Sequence, residues 1–349
     1  MNQKLKKTLK KFVVYNLVIW ITIGISIPAM VTGPAQFRYF DEDWDDFNYS
    51  PEYNETEWNI LIDPHSHTYY SDGSLSPRQN LLWHISMGFN AIVLTDHNSF
   101  EGIDEIREIA RNEFNDTIKV LPGVEWTTAR VHLNFIFPPD LDLEEIESVI
   151  TIKGYISRPT DQEIEAAISS AHSLGGLVSV NHYSSNKRLS KETPTRDQFL
   201  DWGVDFFEII NQDRYFSENH QFCIDNGLGI VASTDMHEPE PVYAWTTLNT
   251  SEFSEEAIFD KLEAGRTGYI YDSFGSPYDV EHKLNKAYIF LYPLIKIGEM
   301  FEGAYTSDVS GVQLGILFVY IYGIYLLIEG CRFVIPKIKL QIKNRKEKN

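Results

Sequence analysis

The chain has 349 residues, enough for two domains or one large α/β domain. Its hydrophobic content of 43% and charged content of 23% are typical of a globular protein, so it can bury a substantial core. Five lysines precede residue 12, and seven basic residues with one acid follow residue 331, which leaves 18 basic and 49 acidic residues between them, a net charge of −31. A domain this acidic repels polyanions, which argues against long nucleic acid as a partner.

Two apolar runs are predicted to be transmembrane helices, over 12–33 and 309–330. Each is long enough to cross the ~30 Å hydrocarbon core of a membrane. A cleaved signal peptide is the alternative for the first run, and a buried core helix for the second. Basic clusters lie on the outer side of both runs. The positive-inside rule therefore predicts a cell-membrane protein with both termini cytoplasmic and the central domain outside the cytoplasm.

Changes of composition divide the chain into seven predicted segments. They are a basic tail (1–11), a membrane helix (12–33), an acidic juxtamembrane linker (34–58), a central domain (59–283), a connecting or interfacial segment (284–308), a second membrane helix (309–330) and a basic tail (331–349). Cys223 and Cys331 are the only cysteines, and a disulfide between them is not expected.

The central domain alternates short β-branched runs with helical segments. Strands are predicted over 59–62, 91–94, 118–121, 132–137, 176–180, 205–210 and 229–232, and helices include 77–87, 160–174 and 254–264. Ser76 before Pro77 is a favourable helix start, because serine caps helices and proline is tolerated in the first turn. This alternation predicts an α/β fold with a parallel sheet, and seven or more repeats predict a (β/α) barrel.

Histidines and carboxylates follow these strands, and the carboxyl ends of the strands are where (β/α) barrels carry their active sites. His65 and His67 point the same way, because strand side chains alternate faces. His132 begins its strand, so a short reversal after Glu125 is needed to bring it to the same edge. Imidazole and carboxylate groups suit Zn, Mn or Fe, and nine ligands suit three divalent ions. The nine candidate metal ligands are His65, His67, Asp72, His97, Glu125, His132, His182, Asp235 and His237.

The order of the motifs resembles the polymerase and histidinol phosphatase (PHP) family. The motifs are His-Ser-His-x₄-Asp-Gly from residue 65, Leu-Thr-Asp-His-Asn from 94, Gly-Val-Glu from 123, a later histidine at 132, Asn-His-Tyr from 181 and Ser-Thr-Asp-x-His from 233. The resemblance covers roughly residues 59–271. It implies a distorted seven-stranded, TIM-like (β/α) barrel with a trinuclear site of Zn, Mn or Fe. It also implies hydrolysis of phosphate esters, nucleotides or short oligonucleotides.

The resemblance further implies how the ligands are shared among three ions. The first ion would be held by His65, His67, Glu125 and Asp235, the second by Asp72, His97 and His237, and the third by His132 and His182, with Glu125 as a bridge. Glu125, Asp235 and His237 are expected to be catalytic. Asp72 stands where some relatives have a histidine, which affects metal preference and keeps a ligand in place.

Other polar residues are assigned from their positions along the chain. Four basic residues are candidates for binding substrate oxygens, with ordinary surface charge as the alternative: Arg130, Lys187, Arg188 and Arg214. Asp96 and Glu208 are expected to hydrogen-bond ligand histidines rather than bind metal. The remaining histidines are interpreted as structural or solvent-facing: His84, His172, His220 and His282.

The predicted function is a metal-dependent phosphoesterase that hydrolyses a small phosphate ester, such as a nucleotide, a short oligonucleotide or a sugar phosphate. Three divalent ions against three carboxylates leave a positive pocket that attracts a small phosphate within an acidic domain. Metal-activated water would be the nucleophile. The expected partners are this substrate and the membrane. The alternatives are an amidohydrolase-type C–N hydrolase and a metal-stabilised, non-enzymatic binding domain.

Overall fold

The computed structural model describes residues 3–31, 37–151, 154, 157–278, 280–305 and 311–346. The chain divides into two compact units. The larger unit is Pro28–Pro293, and the smaller unit combines Met1–Ile27 with Leu294–Asn349. The predicted central domain, 59–283, lies within the larger unit.

Helices and strands alternate along most of the chain. In chain order they are α1 (Gln3–Val31), β1 (Ile60–Ser66), α2 (Pro77–Ser86), β2 (Ala91–Leu94), α3 (Ile103–Glu113), β3 (Lys119–Thr127), β4 (His132–Ile136), α4 (Leu143–Val149), α5 (Asp161–Ser173), β5 (Leu177–Val180), α6 (Tyr183–Leu189), α7 (Arg196–Asp201), β6 (Phe206–Asn211), β7 (Arg214–Tyr215), α8 (Ser217–Asn226), β8 (Gly229–Ser233), β9 (Ala244–Leu248), α9 (Glu255–Glu263), β10 (Gly268–Tyr271), α10 (Tyr292–Tyr305) and α11 (Gly311–Lys346). The predicted cap of α2 is present, since the Ser76 side chain accepts a hydrogen bond from the Gln79 amide.

All ten strands join one sheet, in the order β10-β9-β1-β2-β3-β4-β5-β6-β7, with β8 paired to β6. The seven predicted strands coincide with β1 to β6 and β8. The sequence analysis missed β7, β9 and β10. Strand β7 is only two residues long, and β10 alternates half-buried and exposed side chains at the edge of the sheet, so neither carries a strong strand pattern.

The sheet is mixed, so the expectation of a parallel sheet was wrong in part. Strand β4 runs antiparallel to both β3 and β5, and β9 runs antiparallel to β1. A tight turn causes the first reversal, because the Thr128 amide donates to the Val131 carbonyl at 3.0 Å. The turn pairs His132 with Thr127 and so supplies the reversal expected after Glu125.

The sheet curls until its first and last predicted strands meet at their carboxyl ends. Ser66, at the end of β1, forms a parallel bridge with Met236, shortly after β8. The His67 amide donates to the Met236 carbonyl at 3.0 Å, and the Asp235 amide donates to the His65 carbonyl at 3.0 Å. This curled α/β sheet gathers the carboxyl ends of β1, β2, β5, β6 and β8 around one opening.

An apolar cluster fills the inside of the curl toward the amino ends of these strands. It includes Ile62, Val93, Leu121 and Phe206, which come from four different strands. Three side chains of α9 complete it: Ile258, Phe259 and Leu262. Because this end is closed by apolar packing, polar side chains can gather only at the carboxyl end.

Part of the predicted acidic linker belongs to the larger unit. Tyr39 and Trp44 are buried in a cluster with Trp245 of β9, and residues Asp41–Trp44 form one 3₁₀ turn. The acidic composition of this stretch concealed the few aromatic side chains that anchor it.

Among the described residues, two helices, α1 and α11, are long and apolar enough to cross a membrane, with candidate spans Lys6–Met30 and Gly311–Ile338. They pack antiparallel. Lys11 pairs with Glu329 at 2.7 Å, and the Tyr15 hydroxyl donates to the Ile321 carbonyl at 2.7 Å. Both helices extend beyond the predicted spans, since α1 starts at Gln3 and α11 continues to Lys346.

Helices α3 and α9 are joined by a largely buried ion cluster, which allows a test of the fold. The Glu255 carboxylate contacts Arg107 at 3.0 Å and Arg111 at 2.7 Å. Glu255→Ala leaves Arg107 buried without its counter-charge, so we expect it to destabilise the domain by about 3 kcal/mol. Thermal unfolding of the detergent-solubilised chain would measure the loss. Glu263→Ala, at an exposed position of the same helix, is the matched control, and equal melting of the two variants would contradict this role.

Candidate metal centre

The opening of the curled sheet collects all nine candidate ligands. His65 and Glu125 lie within β1 and β3, His132 starts β4, and His182 caps the start of α6. The others lie in the segments that follow β1, β2 and β8: His67, Asp72, His97, Asp235 and His237. The nine residues span more than 170 positions of the chain, yet their side chains meet in one cluster.

Eight of the nine form three overlapping groups whose potential ligand atoms lie within 4.8 Å of one another. The groups are His67, Asp72, His97 and His237; His65, Glu125 and His182; and His65, His67 and Asp235. The family resemblance assigns Asp72, His97 and His237 to one ion, and the structure adds His67 to this group. It likewise adds His65 to the group that contains His182. The two histidines of the His-x-His motif therefore connect the groups.

His132 is the ligand candidate outside these three groups, and it lies beside them. Its Nδ1 is 3.1 Å from Glu125 Oε1, and its ring centroid is 4.9 Å from that of His182. The turn between β3 and β4 thus brings His132 next to the other ligand candidates, although it lies at the start of its strand.

Glu125 stands at the centre of the cluster and is fully buried. Its Oε1 accepts a hydrogen bond from the Asn181 amide at 3.0 Å and lies 3.4 Å from His182 Nε2. Its Oε2 lies 2.5 Å from His97 Nδ1 and 3.5 Å from His65 Nε2. The two oxygens of one carboxylate therefore face different sets of histidines, as a bridging ligand requires.

The donor atoms fit divalent metal ions. Four buried polar atoms at this site make no well-aligned hydrogen bond among the described residues: His65 Nε2, His67 Nδ1, Asp72 Oδ1 and Glu125 Oε2. Three of them do have a close imidazole or carboxylate neighbour, as Glu125 Oε2 has in His97 Nδ1. Buried polar atoms are nearly always satisfied in folded proteins, so several in one cluster indicate a missing partner. Imidazole nitrogens and carboxylate oxygens suit Zn, Mn or Fe better than Ca or Mg.

The pKa values of the clustered side chains are shifted in different directions. Burial, reinforced by the charge of two neighbouring histidines, lowers the pKa of His67 to about 3. Burial would also lower the pKa of His237, but Asp72 outweighs it and raises that pKa to about 10. Burial would raise the pKa of Glu125, yet the surrounding histidines hold it well below its usual value. His67 therefore offers the neutral imidazole, and Glu125 the ionised carboxylate, that metal binding needs.

Backbone strain is concentrated at the same place. Among the described residues, four non-glycine residues have positive φ: Asn98, His182, Gln212 and Asp235. Two are ligand candidates, Asn98 adjoins His97, and Gln212 follows a residue that bonds Asp235. Such conformations cost of order 1–3 kcal/mol each and persist where surrounding structure holds them. These strained backbone conformations lower the stability of the fold, and they set the positions of the ligand candidates.

Glu208 orients two ligand histidines, as expected from its position in β6. The buried carboxylate lies 3.1 Å from His65 Nδ1 and accepts a hydrogen bond from the His182 amide at 2.5 Å. The hydroxyl of Ser233 also donates to it. By holding Nδ1 of His65, it leaves Nε2 directed at Glu125 and Asp235.

Asp96 has a different role from the one expected. Its carboxylate accepts hydrogen bonds from the Thr68 amide at 2.7 Å, from the Thr68 hydroxyl and from the Ser71 hydroxyl. It therefore shapes the loop that carries Asp72 rather than orienting a histidine. Burial raises the pKa of Asp96 to about 6.

A buried histidine–carboxylate pair, His84 and Asp63, also supports the site, and the sequence analysis did not find it. His84 Nε2 lies 3.0 Å from Asp63 Oδ2, and the Thr234 amide donates to Asp63 Oδ1 at 3.1 Å. The pair ties α2 to the start of the segment that carries Asp235. His84 is fully buried, so the structural interpretation of this histidine is the correct one.

Several uncharged side chains at the site also escaped the sequence analysis. Asn181 and Asn211 donate to Glu125 and Asp235, Asn186 faces His182, and Thr127 contacts His97 Nδ1 at 2.6 Å. Their adjacency to strand ends was the available signal, but asparagine and threonine are common there for turn formation.

The basic candidates for substrate binding differ in what they contact. Arg130 bonds the Pro159 and Glu192 carbonyls and the carboxylate of Asp161, and Lys187 donates to the Thr193 carbonyl at 2.8 Å. The side chain of Arg188 lies outside the described residues. Arg214 is about half exposed and sits opposite Asn211, which donates to Asp235.

The remaining histidines lie away from the cluster. His172 pairs with Asp205 at 3.0 Å, and His282 contacts the Tyr39 hydroxyl at 2.7 Å. His220 contacts Tyr215 at 2.7 Å. These contacts agree with their interpretation as structural residues.

Part of the chain matches a known protein family. Residues 63–197 match the model of the PHP domain family, a stretch that begins before the His-x-His motif and includes His182. The resemblance expected from the motifs is confirmed for this part of the chain.

Two curated proteins share a shorter stretch. The 5'-3' exoribonucleases Rnm of Salmonella typhimurium and Escherichia coli are each 31% identical to the chain over 85 residues. The match covers 23% of this chain and 28% of each relative, so the chain matches about a quarter of the length of these proteins.

A solved structure shares the fold. A two-domain protein from Bacteroides vulgatus, whose name says that it contains a predicted PHP-like metal-dependent phosphoesterase, superposes with a TM-score of 0.50 at 21% identity. The alignment covers 65% of this chain and 68% of that protein. This likeness shows a shared curled α/β fold, and within it the groups that could hold metal ions lie at one opening of the sheet.

Glu208 provides a test of how the site is supported. Loss of a carboxylate that orients a ligand histidine typically weakens metal binding by about 10–100-fold. We therefore expect Glu208→Ala to release metal to a competing chelator at correspondingly lower chelator concentration. Glu218→Ala, on the exposed face of α8, should match the parent. Parent-like affinity in Glu208→Ala would show that His65 needs no such support.

Proposed function

We propose that this chain is a metal-dependent phosphoesterase that hydrolyses a small phosphate ester at a trinuclear centre held by the nine ligand residues. In this proposal the curled sheet is a distorted seven-stranded barrel of β1 to β6 and β8. The PHP match and the exoribonuclease relatives support a hydrolase acting on phosphoester bonds.

The observation that carries the proposal is the placement of Glu125. A buried carboxylate with an oxygen toward each of two histidine sets can hold two ions a short distance apart. Divalent ions held by these two histidine sets would supply Lewis acidity for hydrolysis at phosphorus.

The protein's own residues then have distinct roles. Divalent ions, when bound, supply Lewis acidity and an acidified water as nucleophile. Asp235 contacts His65 at 3.2 Å and His67 at 3.1 Å, so it fixes both imidazoles of the His-x-His motif. His237 and Asp72, 3.3 Å apart, form the more exposed edge of the cluster, where substrate would approach.

The substrate we propose is small and phosphorylated: a nucleotide, a short oligonucleotide or a sugar phosphate. The relatives named as exoribonucleases support a phosphodiester within this class. The strongly acidic surface outside the centre disfavours a long polyanion. Of the basic candidates, Arg214 is the one we assign to the substrate phosphate, because it is exposed beside Asn211 at the rim.

We further propose that α1 and α11 anchor the protein in a membrane. Their length, apolar composition and antiparallel packing support two spans with both termini on one side. The basic tails support a cytoplasmic position for the termini and a catalytic domain on the opposite side.

The first test is the metal content. The purified full-length chain, stripped of metal and reconstituted with Mn²⁺ or Zn²⁺, should bind close to three ions per chain because nine ligands converge. Elemental analysis after removal of free metal would measure this. A plateau at one ion would rule out the trinuclear centre.

The second test is catalytic. Glu125→Gln preserves the shape of the side chain and removes the charge shared by the histidine sets, so turnover should fall by ~10²–10³, the scale of losing a key electrostatic group. The assay is hydrolysis of a panel of phosphate monoesters and diesters by the reconstituted chain. Glu218→Gln is the matched control. Unchanged turnover in Glu125→Gln on a substrate that the parent cleaves would place catalysis elsewhere.

A further inference from the structure

The larger unit exposes an unusual run of apolar side chains near its C-terminal boundary. Ile289 is 63% exposed, Phe290 87% and Leu291 36%, and Leu284 just before them is 53% exposed. Single exposed apolar residues are normal, whereas three consecutive ones form a small continuous apolar patch. We refer to residues 289–291 as the apolar turn, which is closed by a hydrogen bond from the Leu291 amide to the Tyr288 carbonyl at 2.8 Å.

The position of this turn along the chain relates it to both candidate membrane spans. Phe37 forms an antiparallel bridge with Leu284, and the Arg38 amide donates to the Lys283 carbonyl at 2.9 Å. Along the chain, Phe37 comes seven positions after Met30, where the first candidate span ends, and Leu291 comes twenty positions before Gly311, where the second begins.

The residues around the turn have the composition of a membrane interface. Tyr288 precedes the apolar turn and Tyr292 follows it, and tyrosine is enriched at the level of lipid headgroups. Lys286 is exposed two residues before Tyr288, and a lysine there can direct its charge toward headgroups while its stem stays apolar. Arg38, on one of the two bridged segments, adds a positive charge, while Lys283 on the other is paired with Asp43.

The size of the patch favours lipid over another protein. Three side chains bury a few hundred Å² at most, whereas a stable protein–protein interface buries about 1,200–2,000 Å² in total. A bilayer needs no such area, because insertion of a few apolar side chains adds to anchoring that the spans already provide.

We propose that the apolar turn inserts into the interfacial layer of the lipid bilayer and holds the catalytic domain at the membrane surface. This surface is separate from the metal centre and does not depend on the phosphoesterase proposal. It gives the domain a third point of attachment besides the two chain connections to the spans.

The test uses the full-length chain in phospholipid vesicles. In a Cys331→Ser background, single cysteines are introduced by Phe290→Cys, by Val319→Cys in α11 and by Ile224→Cys in α8, and each is labelled with an environment-sensitive fluorophore. Native Cys223 is buried and stays unlabelled. Ile224 is 63% exposed, the same as Ile289, and serves as the matched control.

Lipids with a nitroxide near the top of the acyl chain then report insertion. The label at Phe290 should lose about half of its fluorescence or more, as expected for side chains buried 5–10 Å into the headgroup boundary, while the label at Ile224 keeps its signal. An unquenched Phe290 label beside a quenched Val319 label would overturn the proposal and leave the spans intact. Equal quenching at Phe290 and Ile224 would also overturn it, because the contact would then not be specific to the turn.

Two further outcomes have defined meanings. Labels that are all unquenched would overturn both the membrane anchoring and the insertion of the turn. A blue-shifted Phe290 label that ignores the nitroxide lipids would identify a second copy of the chain as the occupant and would overturn the lipid assignment. None of these readouts uses hydrolytic activity, so failure here is distinguishable from failure of the phosphoesterase proposal.

Discussion

The structure of the larger unit depends on the burial of one carboxylate, Glu125, among histidines from several strands. An ionised carboxylate without solvent is costly unless it is compensated. The compensation here comes from His65, His97, His132 and His182, which lie far apart in the chain. Their convergence requires that β1 to β5 curl, that β4 reverse its direction and that the ends of β1 and β8 meet. The unusual features of the sheet are thus the geometric conditions for surrounding this group.

The same constraint explains where the fold is strained and where it is reinforced. Residues with positive φ occur at or beside the ligands, and fully buried partners such as Glu208 and the Asp63–His84 pair hold them in place. On the opposite side of the curl, apolar side chains close the amino end. The domain therefore separates a stable, apolar base from a strained, polar opening. Side chains aimed by such a base are positioned before any ligand binds, which is the arrangement that electrostatic catalysis needs.

Charge is also distributed unevenly along the chain, with an acidic central domain and basic tails. A strongly acidic domain with a locally positive centre favours small anions over long ones. Membrane attachment would instead depend on the basic tails, the two apolar helices and the apolar turn. If both proposals hold, the protein is a hydrolase of small substrates held at a lipid surface, with the metal centre and the apolar turn in the larger unit and most of both candidate spans in the smaller unit.

Strand periodicity, strand-end motifs and long uncharged runs are local patterns, so seven strands, the nine ligand candidates and the two apolar helices could be predicted from the amino-acid sequence. The direction of β4, the grouping of the ligand candidates around Glu125 and the roles of His84 and Asp96 could not. These depend on contacts between residues distant in the chain. His84 shows the reason: on a predicted helix it is an ordinary histidine, and only the packing of α2 against Asp63 makes it part of the support beneath the metal centre.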